Sequence, residues 1–292
     1  MAPPAPRVAV IVPCYDDGET LGETLASLEE QEPHELVVVD DGSTDSPTLE
    51  VLSALEERGV RVIRRENGGL SDARMTGVEA TMARYVFPLD ADDALAPGAL
   101  SVLANALDAD PGAALAWGDI EIWGEVEASI SVARSLDPWL LTYLNDVPVA
   151  SLVRRSALID AGGWSMGSGY EDWDLWLALA ERAHRGIHVA VPTLRYRRRA
   201  GRMLEVAAQR HSQLYARLRE RHAPLFANRR RNRGLSSAPL RNKLIFPLLE
   251  LLPLDAFTRH RIYLLVNRPQ QIARLRRLRR KSRARLAVER SR

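Results

Sequence analysis

The sequence predicts an α/β protein with a mainly parallel sheet covered by helices on both faces, followed by a helical, basic C-terminal tail. Three observations predict it. Over the first ninety residues, short β-rich apolar runs alternate with segments of helical periodicity, as βαβ units require. The runs are apolar throughout instead of alternating, as strands packed on both faces are. Charge is also segregated along the chain. Residues 229–292 hold 19 Arg/Lys against three acids, a net +16, and the remainder holds 21 against 35, a net −14, which returns the whole-chain +2. An acidic body therefore carries a basic end.

The strands are placed at residues 8–12, 36–39, 60–63 and 85–89. Between the first two, Leu21, Leu25 and Leu28 recur at helical spacing behind Asp17, which is positioned to cap the helix. Between the last two, Ser71 is positioned to cap a helix with Met75, Val78 and Met82 on one face. After Pro97 come a helix over 100–107, a strand-like piece over 115–123 and a long irregular middle ending at Gly162-Gly163-Trp164. A further helix begins near Glu171, with Trp173, Trp176, Leu177 and Ala180 as its apolar face, and a strand is read over 187–191. The expected division is one domain over 1–228, in two halves, 7–95 and 96–228. A basic, partly amphipathic extension follows over 229–292.

At 292 residues, 46% hydrophobic and 27% charged, the chain is globular and neither disordered nor fibrous. Its single cysteine, Cys14, excludes an internal disulfide framework, and no Cys/His spacing suggests structural zinc. The N-terminus lacks the pattern of a signal peptide, so a cytoplasmic location is expected. The most apolar stretch, 244–257, is interrupted by Pro247, Glu250, Pro253 and Asp255. It falls short of the ~20 apolar residues that span a bilayer, so it is suited to lie on a membrane and not to cross one.

Open α/β sheets bind ligands beyond the carboxyl ends of their strands. Here those ends lead into Pro13-Cys14-Tyr15-Asp16-Asp17, Asp40-Asp41-Gly42-Ser43-Thr44-Asp45, Asn67-Gly68-Gly69 and Asp90-Ala91-Asp92-Asp93. The last run follows an apolar strand without transition. It suits Mg²⁺ or Mn²⁺, hard cations that take a few carboxylates and leave positions for substrate phosphates. Cleaving a glycosyl bond to a nucleoside diphosphate requires stabilising the departing charge, which a divalent cation does, and Arg74 adds a fixed positive charge. A second constellation, Gly169-Tyr170-Glu171-Asp172-Trp173-Asp174, puts Glu171 and Asp172 in a first helical turn. Acids favour that position through the helix dipole alone, and one of them also suits a general base for an acceptor hydroxyl. Both readings stand at this level.

Together these pieces resemble the family 2 glycosyltransferases, non-processive and inverting, with a Rossmann-like GT-A fold. The matching segments are Val12 to Asp16, Val39 to Asp45, Asn67 to Arg74, Leu89 to Asp93, and Gly162-Gly163-Trp164 followed by Glu171-Asp172-Trp173, in the family's order. The resemblance implies that Pro13 and Tyr15 border the nucleotide base and that Asp41 hydrogen-bonds base or ribose. It implies that Asp90 and Asp92, with Asp93 beside them, contact ribose and metal-diphosphate, and that Asp172 is the catalytic base with Glu171 in reserve. Two departures qualify it. Where family members often carry Tyr-Arg-x-His, this chain has Tyr196-Arg197-Arg198-Arg199. Arg199 cannot ligate a cation and is instead a candidate for the diphosphate. The Gln-x-x-Arg-Trp signature of processive synthases is absent, which favours single-sugar transfer.

The donor implied is a nucleotide-diphosphate sugar, and the acceptor a glycan or lipid-linked hydroxyl in cell-envelope or exopolysaccharide synthesis. The alternatives are a sugar-phosphate nucleotidyltransferase, which normally has a Gly-rich basic loop after strand one, and a non-catalytic nucleotide-sugar-binding module. His184 and His188 are read as a helix terminus and loop, Cys14 as a packing residue, and Trp164 as an acceptor contact. The cationic run 274–285, with Ile272, Leu275 and Leu278 interleaved, is read as a contact to the anionic inner face of the membrane rather than to nucleic acid.

Overall fold

The computed structural model describes residues 5–124, 127–167, 169–198 and 210–269. The four apolar runs form β1 (Val8–Cys14), β2 (Glu35–Asp40), β3 (Arg61–Arg64) and β4 (Tyr85–Pro88). They pair in parallel in the order β3-β2-β1-β4, with Ile11 opposite Val37 on one side and Pro88 on the other. Every residue of β1 is buried because alternate side chains enter two different cores. Val8, Val10 and Val12 join Leu21, Leu52 and Leu100 on one face, and Ile11 joins Val37, Val39 and Val78 on the other. β3, at the edge, is only partly covered.

The connecting helices are α1 (Gly18–Ala26), α2 (Ser46–Glu57) and α3 (Leu70–Glu79). Asp45 caps α2, its carboxylate accepting the Thr48 N–H at 2.9 Å. Two of the expected caps differ. Asp17 precedes α1 without a capping side-chain bond, and the first N–H of the helix, that of Gly18, donates to Thr48 Oγ1 of α2 at 2.8 Å. α3 starts after Gly69, so Ser71 lies inside its first turn, and its hydroxyl donates to the Met166 carbonyl at 2.7 Å. Met82 lies beyond the end of α3 and is exposed, leaving Val78 buried. Gly77 permits the close approach of α3 to β1, since a Cβ there would sit 2.3 Å from Ile11 Cγ2.

The second half adds β5 (Ala94–Leu95), α4 (Ala99–Ala109), β6 (Ala113–Gly124), β7 (Ala128–Ile130) and a 3₁₀ turn (Leu140–Thr142). β8 (Leu152–Arg154), α5 (Arg155–Asp160), α6 (Glu171–Glu181) and β9 (Arg185–Arg198) follow. The sheet continues β4-β8-β6-β9-β5, with β7 on β6. β8 runs against both its neighbours, and β5 and β7 run against β9 and β6, while β6 and β9 are parallel. α6 is buried almost all round, not on one face alone: its Asp174 is also buried, paired with Arg221 at 2.8 Å.

The C-terminal helices are α7 (His211–Arg221), α8 (Ala223–Ala227), α9 (Arg229–Leu235), α10 (Leu240–Glu250) and α11 (Ala256–Asn267). Their packing crosses the expected boundary at residue 228. Trp139, Tyr143 and Leu144 share a core with Phe246, Leu249 and Tyr263, and the Arg229 Nε donates to Thr142 Oγ1 at 2.8 Å. Part of the apolar stretch 244–257 therefore folds onto the body. Among the described residues no helix is long and apolar enough to cross a membrane. The cationic run 274–285 lies outside the described residues.

Candidate active site

The ends of β1, β2 and β4 and the starts of α3 and α6 border a cavity of about 620 Å³. Pro13, Cys14 and Tyr15 form one end of it, Asp41, Asn67 and Gly69 its side, and Asp90, Ala91 and Asp92 its floor. Val149, Tyr170, Glu171, Asp172 and Tyr196 complete the lining. Donor-side and acceptor-side residues expected from the sequence thus meet in one space.

The Tyr15 ring is half exposed, an open apolar face of the kind a nucleobase stacks on. Asp41 is buried, and its carboxylate accepts the Gly68 N–H at 3.1 Å and the Gly69 N–H at 2.7 Å. It holds the 67–69 loop, where Gly69 has φ +92, against the rim. What the structure gives Asp41 is this loop-shaping role.

A buried ionic relay crosses the floor. Arg74, 1% exposed, reaches Asp90 Oδ1 at 2.7 Å and Glu171 Oε1 at 3.1 Å. Burial works against its charge, but the two carboxylates outweigh burial and raise its pKa. An unpaired buried guanidinium would cost on the order of several kcal/mol, so Arg74 holds Asp90 and Glu171 at a fixed separation. The Trp164 ring lies beneath it, its centroid 5.7 Å from the guanidinium carbon. Trp164 is itself buried and outside the cavity lining, so the expected acceptor contact is corrected to a support for Arg74.

Asp93 also departs from expectation. It is buried away from the cavity, and its Oδ1 accepts the Arg197 N–H at 2.9 Å. Burial, and then the neighbouring Asp90 charge, push its pKa well above the usual carboxylate range. It therefore ties the carboxylate loop to β9 and is not placed as a metal ligand. Among the described residues no group of three or more His, Cys, Asp or Glu gathers to hold a metal. What remains is the oxygen pair of Asp90 and Asp92 at the cavity floor. Such a pair fits a hard cation that completes its shell with substrate phosphates, as Mg²⁺ usually does.

At the start of α6, Gly169 at φ +98 and Tyr170 at φ +66 turn the chain sharply into the helix, a strained entry of the kind found at functional sites. Glu171 is engaged structurally, accepting from Arg74 and from the Gly169 N–H at 3.2 Å. Asp172 accepts the Trp173 N–H at 2.7 Å on Oδ1 and the Asn145 amide at 2.8 Å on Oδ2. Burial and the adjacent Glu171 charge push its pKa up to about 7. That value suits a general base at neutral pH.

Val149 and Tyr196 line the cavity and Asn145 donates to Asp172; none of the three was singled out as a site residue from the sequence. Asn145 and Val149 come from a segment without periodicity or motif, where only tertiary contact identifies them, while Tyr196 opens the Tyr196-Arg197-Arg198-Arg199 stretch, in which only Arg199 drew a role. Arg199 lies outside the described residues. Cys14 is buried, with burial pushing its thiol up to about 12, so it is not a nucleophile. His188 Nε2 lies 2.8 Å from Asp119 and His184 follows the end of α6, so the two do not form a ligand pair.

Fold and site together define an α/β protein with a carboxylate-floored cleft across the carboxyl ends of its parallel strands. The family model described as "Glycosyl transferase family 2" matches residues 9–159, just over half of the sequence, and the chain belongs to that family. The chain is 31% identical over 193 residues to the uncharacterized protein y4gI of Sinorhizobium fredii, covering 63% of this chain and 21% of that one. It is 36% identical over 107 residues to the poly(ribitol-phosphate) beta-N-acetylglucosaminyltransferase TarP of Staphylococcus aureus, 34% of this chain and 32% of TarP. The chain thus spans about a third or less of the length of these relatives. The crystal structure of S. aureus TarS residues 1–349 in complex with UDP-GlcNAc superposes with a TM-score of 0.58 at 19% identity. It covers 76% of this chain and 72% of that one, a likeness of fold.

Proposed function

We propose that the protein transfers a single sugar from a nucleoside-diphosphate sugar to an acceptor hydroxyl, inverting the anomeric centre. The observation that carries this reading is that Asp90, Asp92 and Asp172 line one cavity, with Arg74 bridging Asp90 to Glu171. Pro13 and Tyr15 border the base and Asp41 the ribose side. Asp172 takes the proton of the acceptor hydroxyl as its oxygen bonds the anomeric carbon and the bond to the diphosphate oxygen breaks. A divalent cation, Mg²⁺ or Mn²⁺, would be held by Asp92 and Asp90 together with the donor's phosphates and would stabilise the diphosphate's charge. Arg199 is assigned to the same diphosphate. The acceptor is read as a cell-envelope or exopolysaccharide glycan, free or lipid-linked, in line with the poly(ribitol-phosphate) acceptor named for TarP. The reaction is placed at the inner face of the membrane, with the basic C-terminal segment in contact with it.

Nucleotidyl transfer is disfavoured because the 13–18 loop has one glycine and no basic residue. The test is transfer from a panel of nucleotide sugars, starting with UDP-GlcNAc, with Mg²⁺ or Mn²⁺. Asp172→Asn is expected to lose at least ~10²-fold in transfer with donor binding intact, and Asp92→Ala to lose both transfer and metal-dependent donor binding. Normal transfer by both variants overturns the assignment. Donor binding without turnover by the wild type would make the protein a binding module.

A further inference from the structure

Helix α10 has two apolar faces, and among the described residues only one of them packs into a core. Phe246 and Leu249 enter the third core. On the other side Leu240, Leu244, Leu248 and Leu251 are between 51% and 80% exposed. Their spacings of four, four and three residues stack them along one side of the helix. Leu252 at its end and Leu235 at the end of α9 are exposed as well. A leucine ridge of this kind exceeds the scattered exposed leucines of an ordinary surface.

The charge around it selects the partner. Residues 229–269 carry nine Arg/Lys and two acids. Of the acids, Glu250 is held by Arg229, and Asp255 caps α11 through the Thr258 N–H. Arg230, Arg231 and Arg241 are exposed on the same helical segment. A second copy of the chain would set one +16 segment against another, which repels. An anionic bilayer takes both features at once, leucines at the acyl boundary and arginines on the headgroups.

We infer that the exposed leucine ridge of α9 and α10 is the surface that docks the protein on an anionic membrane, lying in the interface without crossing it. This rests on the membrane location in the proposed function and names the surface responsible, which is folded helix and not the terminal cationic run alone. Vesicle flotation of the full-length chain tests it without turnover. Wild type is expected to float with phosphatidylglycerol/phosphatidylcholine vesicles and at least tenfold less with phosphatidylcholine alone. Leu244→Ser/Leu248→Ser is expected to bind anionic vesicles at least tenfold more weakly, with an unchanged thermal midpoint because both positions are exposed. Wild-type binding by the double variant overturns the proposal, as does failure of wild type to bind. A wild-type dimer that the double variant converts to monomer also overturns it, in favour of a second copy. If vesicle binding behaves as expected while no donor is turned over, the docking surface stands and the catalytic reading falls.

Discussion

At the scale of single residues, two adjacent carboxylates differ in what surrounds them. Glu171 is committed to Arg74 and the Gly169 N–H, while Asp172 is raised to about 7 by burial and by Glu171. Acting as base, Asp172 must be ionised, so kcat/KM should climb about tenfold per pH unit below about 7 and level off above it. The Asn145 amide donates to Asp172 Oδ2 and favours the ionised form. Asn145→Ala should therefore move the acid limb upward by about one pH unit, so that activity drops far more at pH 6 than at pH 9. A pH–rate profile that is flat from 5 to 8, or unmoved in the variant, would count against these roles. Asn145 was invisible in the sequence because it acts across 27 residues through a fold contact.

At the scale of elements, α7 and α11 meet through a histidine pair. His211 and His260 stack with centroids 4.4 Å apart, and the Tyr170 hydroxyl, at the entry to α6, lies 2.8 Å from His211 Nδ1. Burial pulls both histidines down to about 4 from the ordinary 6.5. The unfolded chain then binds protons more readily than the folded one between those values. Their contribution to stability is complete above about 6.5 and is lost as pH falls toward 4. Asp172 has the opposite slope, its raised pKa reducing stability as pH rises from 3.8 to about 7, so a comparison with a variant is needed. His260→Phe should keep several degrees more of its thermal midpoint than wild type when both go from pH 7.5 to 5. Identical losses would show that the pair does not carry this dependence.

At the scale of the whole molecule, the cavity lies between two halves that share one sheet, so a donor spanning both should stabilise the entire fold. A nucleotide sugar at one hundred times its Kd is expected to add about 2.7 kcal/mol, read as a rise in thermal midpoint that needs Mg²⁺ or Mn²⁺ and shrinks in Asp92→Ala. The absence of any rise across a panel of nucleotide sugars would remove the donor assignment.

The four leading strands, the convergence of their loops and the carboxylates at their ends were determined by the sequence alone. Strand runs and motif order are local properties, and a strand buried on both faces leaves an unbroken apolar signal. Tertiary structure decided what each carboxylate does, because burial and partners come from remote segments. It turned Asp93 toward Arg197, committed Glu171 to Arg74, left Asp172 poised beside Asn145, and placed Trp164 under Arg74. It also divided the apolar stretch after residue 240. Phe246 and Leu249 went into the core while Leu244 and Leu248 stayed outside, because which side of a helix meets the body depends on the elements packed against it.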